Sequence, residues 1–156
     1  MTTGIDAALP LSDVPGVERL PSHFVTAVRS VERAGKVMRG GDPSDYIACW
    51  APRDDVSLFG AWGPIERGAD SLARTFRWVG TRFTGGDVEF VYSTVHCSGD
   101  LGITVGFERG LTSIDGASEQ RMVIRVTHVY RRSEDGWFLI HRHADFPPRD
   151  ERVSAR

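Results

Sequence analysis

The chain has 156 residues, 40% of them hydrophobic, with 19 basic against 21 acidic side chains and a pI of 6.2. That is enough chain for one domain with a proper core. The even charge balance, with no basic block, argues against a nucleic-acid partner, and no apolar run of about 18 residues suggests a membrane span. The opening "MTTGIDAALPLSD" lacks the charged-then-apolar form of a signal peptide, so a cytoplasmic protein is expected.

Residues 1–21 hold turn formers (Pro10, Pro15, Gly16, Pro21) without a sustained period and read as an N-terminal arm. The domain is expected over 22–146, and the charged "PPRDERVSAR" of 147–156 reads as a tail. Ser22 is placed to cap a helix over "HFVTAVRSVERAGKVMRGG", with Phe24, Val28 and Val31 on one face and Gly40–Gly41 ending it. A short helix fits "DPSDYIACWAP", capped by Asp42 or Ser44 and stopped before Pro52. "DDVSLFGAWG" alternates like a strand. "GADSLARTFRWVGTRF" returns to helical period through Leu72, Phe76, Val79 and Phe83. After Gly85–Gly86 come four strand-like runs, "DVEFVYSTVHC", "LGITVGFERGLTS", "QRMVIRVTHVYRR" and "GWFLIHRHADF", parted by the turn signals "SGD", "IDGAS" and "SEDG". Cys49 and Cys97, one in a helix and one in a strand, read as free thiols.

Helix, helix, strand, helix, then four strands in succession predicts an antiparallel meander with the helices on one face. The fold class expected is α+β: a cone-shaped roll, its curved antiparallel sheet carrying three helices on the concave side. Such a cone encloses a small-molecule pocket.

This order, with "GDPSDYIACWAPRDDVSLFGAWGPIERGADSLARTF" followed by strands ending "YRRSEDGWFLIHRHAD", resembles the nuclear-transport-factor-two-like superfamily, and within it the SnoaL-like branch, near the association domain of calcium/calmodulin-dependent kinases. The resemblance spans Phe24 to Phe146. It implies a pocket between sheet and helices and a homodimer formed through the outer face of the sheet. The superfamily holds isomerases of the ketosteroid isomerase type, dehydratases, cyclases, hydrolases and non-catalytic assembly modules, so fold alone does not choose among them. At the positions of the kinase domain's pocket arginines stand Glu108, Thr127 and Ala144, with Arg125 and Arg142 two residues away; its closing "H-x-H-x-S" has Asp145 in place of the serine.

If "SEDG" is a four-residue hairpin loop, Arg132 pairs with Trp137, Val129 with Ile140, Thr127 with Arg142 and Arg125 with Ala144. One face then carries Val123, Arg125, Thr127, Val129, Phe138, Ile140 and Arg142, the other Ile124, Val126, His128, Tyr130, Trp137, Leu139, His141 and His143. A single β-bulge would exchange the two sets beyond it. The resemblance assigns the arginine face to the pocket. The candidate polar groups are therefore Arg125, Thr127, Arg142 and Glu108, with Tyr46, Trp50, Phe76 and either Trp62 or Trp78 as walls, unless these aromatics simply fill the core. Paired arginines in a low-dielectric cone suit a carboxylate or enolate oxygen. Glu108 reads as a general acid or base with a raised pKa, or as the structural partner of an arginine. His96 is a further acid–base candidate at the cavity rim.

His128, His141 and His143 on one face, with Asp145 nearby, have the composition of a zinc or iron site. The resemblance puts that face outside, where an interface or packed surface is expected and no metal. Nucleotide signatures and nucleophile elbows are missing from the sequence, so a cofactor-free protein is expected. Two functions remain open. One is cofactor-independent isomerisation, cyclisation or dehydration of a hydrophobic carbonyl compound, with a carboxylate or imidazole moving the proton and Arg125 or Arg142 holding the oxyanion. The other is a non-catalytic ligand-binding or oligomerisation module.

Overall fold

The computed structural model describes residues 4–148. Helix α1 (Ser22–Arg39) buries Phe24, Val28, Val31, Ala34, Gly35, Met38 and Arg39, a stripe at the three-and-four spacing of one helical face. Pro21 rather than Ser22 holds the cap position: its carbonyl accepts from the amides of Phe24 and Val25, and Ser22 makes no capping bond. Helix α2 (Ser44–Ala48) is introduced by Asp42, whose Oδ1 accepts from the Ser44 amide at 3.0 Å. Strands β1 (Ser57–Phe59) and β2 (Ile65–Arg67) form a small hairpin. Helix α3 (Ala69–Arg82) buries Leu72 and Phe76. Phe83, expected to continue that helical stripe, instead opens strand β3 (Phe83–Gly86). The four closing strands are β4 (Glu89–Ser98), β5 (Leu101–Ile114), β6 (Gln120–Ser133) and β7 (Gly136–Asp145).

The sheet runs β2-β1-β7-β6-β5-β3, with β4 also paired to β5. β3 and β4 share one edge of β5, β3 at Thr112–Ile114 and β4 at Leu101–Arg109. The meander β4 to β7 is antiparallel as expected, while β1 joins β7 in parallel, so the whole sheet is mixed. Among the described residues three irregularities interrupt it, one in β3 between Phe83 and Gly85, one in β4 between Tyr92 and Thr94 and one in β7 between Leu139 and His141. The helices cover the concave face, giving the expected α+β cone. The segment ahead of α1 is packed against the body: Leu9 exchanges backbone hydrogen bonds with Tyr92, and Leu11 is fully buried.

The β7 irregularity decides which side chains of that strand enter the cone. Arg132 pairs with Trp137, as the hairpin count requires, and Tyr130 pairs with Leu139. Val129 then pairs with His141, so Ile140 has no partner and is the extra residue of a bulge. Beyond it, His128 faces Arg142, Thr127 faces His143, and Arg125 faces Asp145. The expected pairings Val129–Ile140, Thr127–Arg142 and Arg125–Ala144 are thus each displaced by one. The inward set is Ile124, Val126, His128, Tyr130, Leu139, Arg142 and Ala144, all buried. Arg142 changed sides relative to the count, while Arg125 and Thr127 turn outward.

Candidate functional site

Five polar side chains converge inside the cone. α1 brings Arg39, α2 Tyr46, β5 Glu108, β6 His128 and β7 Arg142, and none is more than 7% exposed. Arg39, Glu108 and His128 arrive by the ordinary periodicity of their elements, Arg142 through the bulge at Ile140. Arg39 follows Phe24, Val28, Val31 and Gly35 on the buried stripe of α1. Glu108 and Thr104 alternate on the inner face of β5, and Thr104 stands opposite His128 and then Arg142 across the sheet.

Glu108 is the hub of the charges. Arg142 donates to it twice, Nη1 to Oε2 at 2.5 Å and Nη2 to Oε1 at 3.2 Å. Arg39 Nη2 donates to the same Oε1 at 3.2 Å. Burial alone would raise the Glu108 pKa, but the attraction and hydrogen bonds of Arg142, with Arg39 behind them, hold it down to about 2. The raised carboxyl pKa expected of an acid–base residue is therefore not what this environment produces.

Arg142 Nη1 also stands 3.2 Å from the Tyr46 hydroxyl and 3.0 Å from His128 Nε2, and that hydroxyl and Nε2 are 2.9 Å apart. A guanidinium only donates, so His128 Nε2 must be an acceptor and the ring neutral, its proton on Nδ1. Burial, then the positive charge of Arg142, push the His128 pKa down to about 3. Burial likewise drives the Tyr46 phenol above its usual range. At neutral pH the cluster therefore holds two positive groups, Arg39 and Arg142, and one negative, Glu108: a buried formal charge of +1. Among the described residues Arg39 Nη1 hydrogen-bonds only with the Met122 sulfur, at 3.9 Å, and the guanidinium lies 4.5 Å over the Phe83 ring.

Arg39, Glu108 and Arg142 line a small cavity of about 50 Å³ whose remaining wall includes Leu58, Phe76, Val79, Phe83 and Ile124, with Gly60, Ala61, Trp62 and Pro64 from the β1–β2 loop. Trp62 packs edge-on to Trp78, 6.1 Å between centroids, and Arg82 lies 4.6 Å over its ring.

Of the residues expected at the site, Glu108, Arg142, Tyr46, Phe76 and Trp62 are brought to this region. Trp50 is buried in the core, its ring 5.9 Å from Phe76. Trp78 is 45% exposed on α3 and does not line the cavity. Arg125 forms a surface pair with Asp145, Nε to Oδ1 at 2.6 Å and Nη2 to Oδ2 at 2.8 Å, and Thr127 is on the same outer face; β6 alternates without a break and turns Ile124, Val126, His128 and Tyr130 inward, so on this strand the face expected to line the pocket is the outer one. His96 is exposed on β4, away from the cavity.

The three histidines expected on one face are split. His128 points inward, whereas His141 Nδ1 lies 2.7 Å from Ser57 Oγ, and Phe59 sits edge-on to His141 and His143. Among the described residues no group of three or more His, Cys, Asp or Glu is placed to hold a metal ion. The sequence reading missed Arg39 and the inward role of His128. Arg39 was findable, since it continues the stripe of Phe24, Val28, Val31 and Gly35. A basic residue in a last helical turn, however, reads first as a partner of the helix dipole.

The SnoaL-like domain family matches residues 30–148. No curated protein matches the sequence. Among solved structures, a nuclear transport factor 2 (NTF2-like) superfamily protein from Salmonella enterica superposes with a TM-score of 0.69 at 15% identity, covering 86% of this chain and 95% of its own. A putative calcium/calmodulin-dependent protein kinase type II association domain from Thiobacillus denitrificans gives 0.63 at 20% identity, over 90% of this chain and 98% of its own. A putative dehydratase of the NTF2-like family from Streptomyces avermitilis gives 0.64 at 22%, over 81% and 95%. These likenesses establish the fold. Among the described residues no helix is long and apolar enough to cross a membrane.

Proposed function

The chain belongs to the SnoaL-like domain family, and from the charge inside its cone we propose that it is a binding protein for a small organic anion, a carboxylate or enolate, held by Arg39 and Arg142. One observation carries this reading: two buried guanidiniums share a single carboxylate on the wall of a cavity. Burying an uncompensated charge is costly, and an anion in the cavity would remove that cost. Arg39 Nη1, which among the described residues hydrogen-bonds only with a sulfur, a weak acceptor, would donate to it. Glu108 would hold both guanidiniums in place rather than take part in proton transfer, because both of its oxygens are already occupied.

Calorimetric titration with acetate and propionate against acetamide and propionamide tests this. The carboxylates should bind at least about tenfold more tightly than the neutral isosteres, and Arg39→Met should remove the difference. Equal binding of acids and amides, or binding of neither, refutes it.

A second reading, cofactor-free isomerisation, cyclisation or dehydration, draws on one feature: the Tyr46 hydroxyl and His128 Nε2, 2.9 Å apart beside Arg142, form a pair able to relay a proton next to an oxyanion. It predicts that a bound carboxylate or ketone loses α-hydrogens to D2O faster with the native protein than with His128→Asn; an unchanged exchange rate rules it out. The homodimer implied by the fold family would use the outer sheet face, where Val105, Phe107, Thr127 and His143 line a shallow groove of about 290 Å³. Light scattering on the native chain and Phe107→Glu checks it, and a native monomer defeats it.

A further inference from the structure

The charged cavity shares a wall with a larger space. Between the end of α2, the first turns of α3 and the β6–β7 hairpin lies an open groove of about 570 Å³. Its floor is apolar, made by Trp50, Leu72, Phe76, Phe138 and the bulge residue Ile140. Its rim has both signs of charge, Arg53 and Arg131 against Asp70 and Asp135, and so selects for neither. Phe76 is the residue common to groove and inner cavity. Its ring stands 4.9 Å from Tyr46, which hydrogen-bonds with Arg142, and 5.9 Å from Trp50 on the groove side. Trp50 Nε1 is also the one buried side-chain polar atom among the described residues without a hydrogen-bond partner, a state that natural interiors rarely tolerate.

We propose that groove and cavity are two halves of one site, and that the ligand is an amphiphilic monoanion: a carboxylate head against Arg39 and Arg142, an apolar tail in the groove, and Phe76 turned aside to join them. This rests on the anion-binding reading above and adds what it leaves open, the rest of the molecule. The inner cavity has room for only a few water-sized groups, enough for a carboxylate but not for a ring. The groove is within the range of roughly 300–1,000 Å³ that houses whole small ligands. The buried surplus is one positive charge, so one negative charge balances it. An oxygen on the tail near Trp50 would supply the acceptor its indole N–H lacks.

The test uses the full chain with acetate, octanoate and octan-1-ol, followed by calorimetry and by the Trp50 indole N–H resonance, assigned through Trp50→Phe. Octanoate should bind at least about tenfold more tightly than acetate, since each methylene leaving water favours binding, and it alone of the two acids should shift the Trp50 signal. Octan-1-ol should bind more weakly than octanoate. Phe76→Ala should tighten octanoate by a larger factor than it changes acetate; Phe76→Leu, which keeps a packed core, should do the same to a smaller degree. If acetate binds but octanoate binds no better and leaves Trp50 unmoved, the joined site is wrong and the anion reading stands. If octanol matches octanoate, the tail site is independent of the head and the joined site is again wrong. If no acid binds, both fall.

Discussion

Glu108 and Arg142, 34 positions apart in the chain, meet by two parallel contacts in a buried space that Arg39 also enters. The three are not equivalent. Removing Glu108 leaves two guanidiniums buried without a counter-ion, whereas removing Arg39 leaves a neutral, doubly bonded pair.

Glu108→Gln should therefore cost about 3–5 kcal/mol of stability, the penalty for breaking a buried pair. Arg39→Met should cost no more than about 2 kcal/mol, chiefly its one hydrogen bond to a charged group. Urea denaturation of both variants decides the matter; equal losses would show that the surplus charge carries no penalty.

Acid should weaken the fold in two stages. His128 is held at about 3 and Glu108 at about 2, both below their unfolded values of about 6.5 and 4.3. Between folded and unfolded pKa the unfolded chain binds the extra proton, so stability falls as pH falls. The His128 contribution is whole above about 6.5 and is lost toward pH 3; that of Glu108 is whole above about 4.3 and is lost toward pH 2. Denaturation midpoints from pH 7 to 4 should decline less steeply for His128→Asn than for the native chain. A native His128 ring that protonates near pH 6 by NMR would contradict the arrangement.

Gly106 lies on β5 opposite Tyr92, next to the β4 irregularity. A Cβ there would be driven into the Val91 carbonyl and the Tyr92 Cα, backbone atoms with no rotamer to yield. Gly106→Ala should push β4 outward and cost at least the ~1–3 kcal/mol of core overpacking. Thermal melting measures this; a loss below half a kilocalorie, on the scale of ordinary surface changes, would mean the strands have slack there.

Arg125→Ala should change stability by no more than about 1 kcal/mol, because its pair with Asp145 is on the surface. It should also leave carboxylate binding intact, while Arg142→Met abolishes it. Loss of binding in the Arg125 variant would return the outer face to consideration.

Helices α1 and α3 and the four long strands were legible because each repeats its apolar residues at one period for ten or more positions, and the short α2 because Asp42 and Pro43 mark its start and Pro52 its end. β2 and β3 were not: three and four residues are too few to show a period, and β3 includes Gly85 and Gly86. Within the site, Glu108, Tyr46 and Arg142 were recognisable as polar groups in apolar runs. The partner of Arg142 was not, because Val129 is followed across the hairpin by a residue that no spacing rule marks as extra. Ile140 is β-branched and apolar, as good a strand residue as its neighbours. The count from the "SEDG" turn was right through Leu139 and displaced by one from His141 onward.

Ile140 makes chain length, rather than residue type, the quantity most tightly fixed in this stretch. Loss of that single codon would exchange the environments of every side chain from His141 to Asp145, moving Arg142 to water and histidines into the hydrophobic interior. Alignment of distant relatives should accordingly treat Trp137–Leu139 and His141–Asp145 as separate blocks, free to slide by one against each other.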